Sequence, residues 1–516
     1  MIEKLAERLT PEHGDIIPPG SKTAGAYNFT VDPLEGLPGF SLLGRMPWKA
    51  SRDVQSSILS IGFETLDRDT FDPHMVFPIL KDSGVKYARC QTGWMKTEKT
   101  PGVYEFGWLD DVVDGLADIG IQAWLSLSYG NPLYTPCEKF AEAWKHADGK
   151  LVPGWARGYV GEMPYYHGED AMAAWLRYVR AIVTHFKGRV RDWEVWNEPE
   201  WFWCRNGEKM IQTRGVAGAA KDYVEFVRAT GAAVREVDAE ARIVANVAQS
   251  STAYVQELGK NGIGNIIDVF SFHFYGATPE DFIRQRYDFL RTNLTVPGRE
   301  LEIWEGESGR ASGKSMLFAM PTEYNQAKFL LRRYMTDKLC GASLSSFFTV
   351  TDFMCYYADG SDQYYGVINA REKRPKMAFR ALQALGWLFD GLEVAPDLYV
   401  SLAPRHQQCF CSSLPYNIMA GAFRRKGVPM FALWIPEHVD ISAQPVEGTL
   451  NMIADLAVPL REPVAIDPLR GQVWRVDSVH DELYHSVIGA RAIDQFRVCD
   501  YPLFISDASL FAELLD

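Results

Sequence analysis

Asp192-Trp193-Glu194-Val195-Trp196-Asn197-Glu198-Pro199 is a half-apolar run closed by an amide, an acid and a proline. Proline has no backbone donor and forces the residue before it out of the helical region, so the run reads as a strand that stops at Glu198. Asn197 and Glu198 are then left at a rim. There an asparagine can hydrogen-bond a sugar hydroxyl while the neighbouring acid gives a proton to a glycosidic oxygen. An ordinary strand-to-loop turn is the competing reading, and the rest of the chain decides between them.

Outward from this strand, short β-rich runs alternate with amphipathic helical runs eight times between about residues 55 and 388. The strands begin near Ile58, Val85, Ile121, Asp192, Arg242, Asp268, Leu301 and Ala342. Asp72-Pro73 opens a helix with a cap and a first-turn proline. Trp108 to Leu116 carries helical spacing, and further helices are expected over 171–186, 217–237, 279–294, 322–339 and 375–389. Strict alternation implies a parallel sheet, and eight units imply closure into a (β/α)8 barrel over 51–390. After Gly391 the helical period ceases, and short strands punctuated by Pro, Gly and Asp predict a β-sandwich over 391–516. Residues 1–50, rich in Gly and Pro and without a helical repeat, are expected to add strands or a strap to that sandwich.

In such a barrel the site lies at the carboxyl ends of the strands. Glu198 ends the fourth. The seventh, Leu301-Glu302-Ile303-Trp304-Glu305-Gly306-Glu307-Ser308-Gly309, supplies a second acid. Glu305 and Glu307 are two apart and share a face by alternation. Glu307 is favoured because it lies nearer the strand end between two glycines, with Glu305 deeper and hydrogen-bonded. In the sixth strand alternation sets Ser271, His273 and Tyr275 towards the lumen and Phe270, Phe272 and Phe274 away from it. Tyr275 can then hold the nucleophilic carboxylate ionised, with His273 reaching the sugar or a neighbouring acid. Arg89 ends the second strand, either touching substrate or neutralising Glu305 or another acid.

Aromatic residues crowd the same rim. The connection from Tyr129 to Asp192 carries Tyr134, Trp144, Trp155, Tyr165 and Tyr166; Trp201-Phe202-Trp203 follows Pro199; Tyr356, Tyr357, Tyr364 and Tyr365 follow the eighth strand. Aromatic faces stack on sugar C–H faces, so a sugar-lining role is expected, with Trp201 among the candidates. So many loops over one rim favour a pocket for chain ends.

The net charge of −13 without a basic run excludes nucleic-acid and anionic-membrane binding as first readings. The first residues lack the apolar core of a signal peptide, and no segment approaches 18 apolar residues, so a cytoplasmic protein is expected. Cysteines at 90, 137, 204, 340, 355, 409, 411 and 499 show no zinc spacing and are expected as free thiols.

Trp196-Asn197-Glu198-Pro199, His273-x-Tyr275, Gly306-Glu307-x-Gly309 and Arg89 together resemble clan A of the glycoside hydrolases, over about residues 55 to 390. Within the clan, Gly84-Val85-Lys86-Tyr87-Ala88-Arg89 followed by Gly102-Val103-Tyr104-Glu105-Phe106 looks like glycoside hydrolase family 39, which includes β-xylosidases and α-L-iduronidases. The resemblance implies a retaining glycosidase with Glu198 as acid/base and Glu307 as nucleophile. Arg89, Asn197, Trp201, His273 and Tyr275 would contact substrate, a carbohydrate, with no cofactor or metal. The eighth strand departs from it: Ser345 to Asp352 lacks the tryptophan many relatives place under the sugar, so Phe348 or a loop aromatic must serve. An acidic sugar would require a cationic subsite, for which Arg205 or Arg310 is available. A transglycosidase using the same acids, or a non-catalytic sugar-binding barrel, are the rival readings.

Overall fold

A computed structural model describes residues 1–9, 33–136, 162–200, 205–248, 251–276, 278–313, 322–357, 360–404, 418–436, 450–477, 479–480 and 492–515. Eight parallel strands close into a barrel in chain order: Leu59–Gly62, Tyr87–Gln91, Gln122–Leu127, Asp192–Val195, Arg242–Val247, Val269–His273, Glu302–Ser308 and Leu344–Phe347. The eighth pairs back onto the first, Ile61 opposite Phe347. We refer to them as barrel strands one to eight.

Local chemistry starts and stops the helices around it. Asp72 accepts the His74 N–H at 3.0 Å, with Pro73 in the first turn of Pro73–Leu80. Thr322 caps Glu323–Cys340 through the Asn325 N–H at 3.1 Å, and Gly341, at φ +78°, closes it. Among the described residues no helix is long and apolar enough to cross a membrane.

Inside the barrel, Trp124, Val244, Val269, Trp304 and Leu344 form a separate apolar cluster, with the two indoles edge to face at 5.2 Å. These residues precede the strand ends. The lumen is therefore plugged below, and polar side chains from the last residues of each strand gather above the plug.

The sandwich has a seven-stranded sheet in the spatial order Phe40–Arg45, Gln472–Val476, Pro463–Asp467, Leu503–Asp507, Val428–Trp434, Met419–Arg425, Leu392–Val394. A four-stranded antiparallel sheet holds Val400–Pro404, Leu450–Leu456, Ala492–Val498 and Val479–His480. Phe40–Arg45, from the amino-terminal segment, is an edge strand here. That segment also holds a helix, Ile2–Arg8, where none was expected. Its stripe of Ile2 and Leu5 is too short to show a period, and burial holds it together with an ion pair from the amino terminus to Glu462 at 3.1 Å. Lys328, on the helix after strand seven, pairs with Asp500 at 2.6 Å and ties barrel to sandwich. Four cysteines, 90, 340, 355 and 499, are free thiols; Cys409 and Cys411 lie outside the described residues.

Candidate active site

Barrel strand four ends at Val195, three residues before the expected stop at Glu198. Trp196 takes φ +68° and Glu198 φ +47°, so the chain leaves the sheet through a left-handed turn before the proline acts. Left-handed backbone costs an L-residue about 1–2 kcal/mol and persists only where its surroundings fix it. Trp196 is fully buried, edge to face with Tyr129, Trp175 and Phe226. Asn246, on strand five, accepts the Glu198 N–H at 2.7 Å and donates to the Trp196 carbonyl at 2.5 Å.

Arg89 is the hub above the apolar plug, fully buried and 5.5 Å from the Trp124 ring. Its Nη1 donates to Glu307 Oε2 at 2.7 Å and Glu64 Oε1 at 3.3 Å. Its Nη2 donates to Glu194 Oε2 at 2.6 Å and Asn197 Oδ1 at 2.7 Å, and Nε reaches Glu194 at 3.0 Å. The Asn197 amide is held at both ends, because its Nδ2 donates to the Tyr129 hydroxyl at 2.8 Å. One guanidinium thus faces three carboxyl groups, and like charges in a dry site cannot all ionise cheaply. Glu64 has the longest contact of the three, and burial pushes its carboxyl above the usual range, opposed by Arg89 and assisted by Glu307.

A bulge separates the two acids of strand seven. Phe272 pairs with Glu305 but His273 with Glu307, so Gly306 is the extra residue and alternation fails there. A Cβ on Gly306 would stand 2.0 Å from Ser271 Oγ and 3.3 Å from His273 Nε2, a close approach only glycine permits. Glu307 therefore turns into the lumen, where Tyr275 donates to its Oε1 at 2.6 Å. Burial, followed by the Glu307 charge, pushes the Tyr275 phenol well up, so it stays a donor. Glu305 instead faces the helices behind the sheet: it accepts the Phe274 N–H at 2.8 Å, and Arg333 opposes the strong upward push of burial on its carboxyl. Glu305 and Glu307 do not share a face: Arg89 faces Glu194, Glu64 and Glu307, while Arg333 faces Glu305.

His273 Nδ1 stands 2.9 Å from Glu198 Oε1 and 3.7 Å from Glu307 Oε2. Burial, with the opposing Glu307 charge second, lowers the imidazole to about 4, so it is neutral near pH 7. Since Nδ1 faces carboxyl oxygens and Nε2 faces the Gly306 backbone, the ring proton belongs on Nδ1. One oxygen of Glu198, one of Glu307 and one His273 nitrogen all lie within 4.8 Å of one another. Side-chain exposure is 8% for Glu198 and 15% for Glu307, so both open onto the mouth while Arg89 and His273 do not.

The structure thus brings Glu198, Glu307, Arg89, Asn197, His273 and Tyr275 into one constellation. Trp201, Phe202 and Trp203, like Trp144 and Trp155, lie outside the described residues, as does the Arg205 side chain. Arg310 is buried beside Phe329, 3.4 Å from the Tyr275 carbonyl, and burial lowers it to about 10. Phe348 is half-buried at the end of strand eight, edge to face with Tyr365 at 5.5 Å. Glu64, Glu194, Asn246 and Tyr129 are additions that the sequence reading missed. Glu64 and Asn246 follow or end candidate strands, so the strand-end rule that selected Glu198 could have found them.

The model of glycoside hydrolase family 42, described as beta-galactosidase, matches residues 64–212, from Glu64 to the helix after strand four. No curated protein sequence matches the chain. Among solved structures, it is similar to a GH39 β-xylosidase from Caulobacter crescentus at 18% identity, covering 73% of this chain and 84% of that one, with a TM-score of 0.46. It is similar to the GH39 enzyme from Xanthomonas axonopodis pv. citri at 15% identity over 88% and 95% of the two chains, TM-score 0.49. A beta-galactosidase from the psychrophilic Marinomonas ef1 is 15% identical over 64% of this chain, TM-score 0.45, and the match spans only 60% of that chain's length. Within the barrel, residues 64–212 thus match a glycoside hydrolase family model of clan A.

Proposed function

We propose that the protein is a retaining, exo-acting glycoside hydrolase in which Glu307 is the nucleophile and Glu198 the acid/base. One observation carries this reading: one oxygen of Glu198 and one of Glu307 lie within 4.8 Å of each other across one mouth, too close to leave the room an inverting pair needs for a water. Retaining pairs stand about 5–5.5 Å apart and inverting pairs about 6.5–9.5 Å, the extra room holding a water. Their environments also divide the labour. Glu307 accepts hydrogen bonds from a guanidinium and a phenol, one on each oxygen. Glu198 is bound by a neutral imidazole N–H, which serves its protonated and its ionised form.

In the first step a Glu307 oxygen bonds to the anomeric carbon as the glycosidic C–O bond breaks, and the departing oxygen takes the proton from Glu198. His273 Nδ1–H holds Oε1 of Glu198 and so fixes the plane of the carboxyl that carries the proton. In the second step Glu198, now a carboxylate, takes a proton from water as it attacks the same carbon and frees Glu307. This chemistry calls for no metal or organic cofactor. The substrate is a glycoside or oligosaccharide of β-xylosidase-like or related type, entered from its chain end.

A panel of aryl pentosides, hexosides and uronides tests the activity. A 2-fluoro glycoside of the accepted sugar should then label Glu307, read by peptide mass spectrometry. Labelling at Glu305, or net inversion of the first-formed product, would reverse the assignment. With sugar acceptors added, product analysis separates hydrolysis from transfer.

A further inference from the structure

The turn that carries Glu198 is held from behind by a pair of residues that touch neither carboxyl. Asn246 is fully buried on strand five. Its amide spans the turn, Oδ1 taking the Glu198 N–H at 2.7 Å and Nδ2 giving to the Trp196 carbonyl at 2.5 Å. An amide is the smallest side chain that offers an acceptor and a donor side by side, so neither Asp nor Leu can replace it. The hydroxyl of Tyr223, itself fully buried on the helix after strand four, donates to the Val195 carbonyl at 2.8 Å and accepts the Asn246 N–H at 3.1 Å. Polar groups of Val195, Trp196 and Glu198 are thereby tied to two side chains over the stretch where Trp196 and Glu198 adopt positive φ.

We propose that Asn246, backed by Tyr223, is a positioning residue that locks the left-handed turn and so aims the Glu198 carboxyl at the leaving-group oxygen. The inference rests on the reading of Glu198 as acid/base. Strained backbone at a site is retained where it is over-determined by its surroundings, and here the two ties are made to the strained residues and their neighbour. Releasing them lets Glu198 relax away from His273, while the Arg89 and Tyr275 bonds to Glu307 are held from other strands. Proton donation should suffer and nucleophilic attack should not.

The test compares kcat/KM for an activated dinitrophenyl glycoside and a poor, alkyl glycoside of the same sugar, since only the second needs protonation of its leaving group. Asn246→Ala should lower the alkyl substrate by roughly 30-fold or more and the dinitrophenyl substrate by less than about threefold. Tyr223→Phe, which keeps the ring, should act in the same direction by about fivefold, and it carries the comparison alone if Asn246→Ala does not fold. Equal losses on both substrates, or none, overturn the proposal. Glu198→Ala measured alongside separates two failures. If it discriminates between the substrates and Asn246→Ala does not, the positioning role is wrong; if neither discriminates, the assignment of Glu198 beneath it is wrong.

Discussion

The two carboxyls at the barrel mouth are seated by opposite means. Glu307 stands on a bulged but right-handed strand and is gripped at its side chain, by Arg89 from strand two on one oxygen and Tyr275 on the other. Glu198 stands on a left-handed turn held at its backbone by Asn246, and a neutral imidazole donates to its carboxyl. A group that must stay anionic can be bound tightly by charge. A group that must release and recover a proton cannot, because strong donors would fix one protonation state. Position is then best set through the main chain.

Removing each carboxyl is the most direct way to break this contrast. Glu307→Ala should cost on the order of 10⁴-fold or more in kcat for every leaving group, because in the proposed mechanism Glu307 forms the glycosyl intermediate. Glu198→Ala should cost about 10²–10⁴-fold for poor leaving groups and far less for activated ones. Azide should rescue Glu198→Ala to a glycosyl azide of retained configuration and Glu307→Ala to the inverted one, as product NMR would read. Identical responses of the two variants would erase the division of roles.

The next largest effect belongs to Arg89, which faces three buried carboxyls. Arg89→Met leaves them uncompensated, and losing one partner from a buried charged network costs roughly 3–5 kcal/mol. At about 2.1 cal/mol/K of unfolding entropy per residue a chain of this size shifts by about 1 °C per kcal/mol, so a thermal melt should show Tm lower by roughly 3–5 °C. Arg89→Lys keeps the charge without the fork and should fall between variant and parent. If Arg89→Met melts with the parent, the anion seat is not built on charge.

The sequence carried the barrel and much of this constellation because both follow from periods. Eight alternations gave the parallel closure, and a period of two put Ser271, His273 and Tyr275 on one face. Where the backbone departs from its period, inference from pattern fails. The bulge at Gly306 turns Glu305 and Glu307 to different sides, although their spacing says otherwise. The left-handed Trp196 ends strand four early, although Pro199 was the visible stop. The partners of Arg89 were also hidden: Glu194 and Glu307 lie 105 and 218 residues away, and only closure of the barrel says which strand ends meet.

Tyr275→Phe sharpens the comparison from the other side. It removes the 2.6 Å bond to the Glu307 carboxyl and keeps the ring. A hydrogen bond to a charged group is worth about 1.5–3 kcal/mol, so kcat should fall by roughly 10–100-fold. With Glu307 as the proposed nucleophile, the loss should be the same for activated and poor leaving groups, in contrast to Asn246→Ala. A loss that grows with leaving-group pKa would place Tyr275 in the acid/base seat instead.

The smallest effect concerns Glu200, two residues beyond Glu198. Its carboxyl is buried at 9% exposure and pushed from its ordinary 4.5 up to about 8, first by burial and then by the neighbouring Glu198 charge. Between those values the folded protein holds a proton that the unfolded chain has lost, so this group lowers stability as pH rises from about 4.5 to 8. His273, lowered from 6.5 to about 4, works the other way, raising stability with pH between about 4 and 6.5. Above pH 6.5 the carboxyl effect stands clear of the histidine. Glu200→Gln keeps the shape and cannot ionise, while Glu64 and Glu305 remain in both proteins and cancel. The Tm of the variant relative to the parent should therefore rise between pH 6.5 and pH 8, by about 1 °C for each kcal/mol of the parent's loss. A gap that stays constant over this range would mean that Glu200 is already ionised in the fold, and that the acid/base seat tolerates a second negative charge beside it.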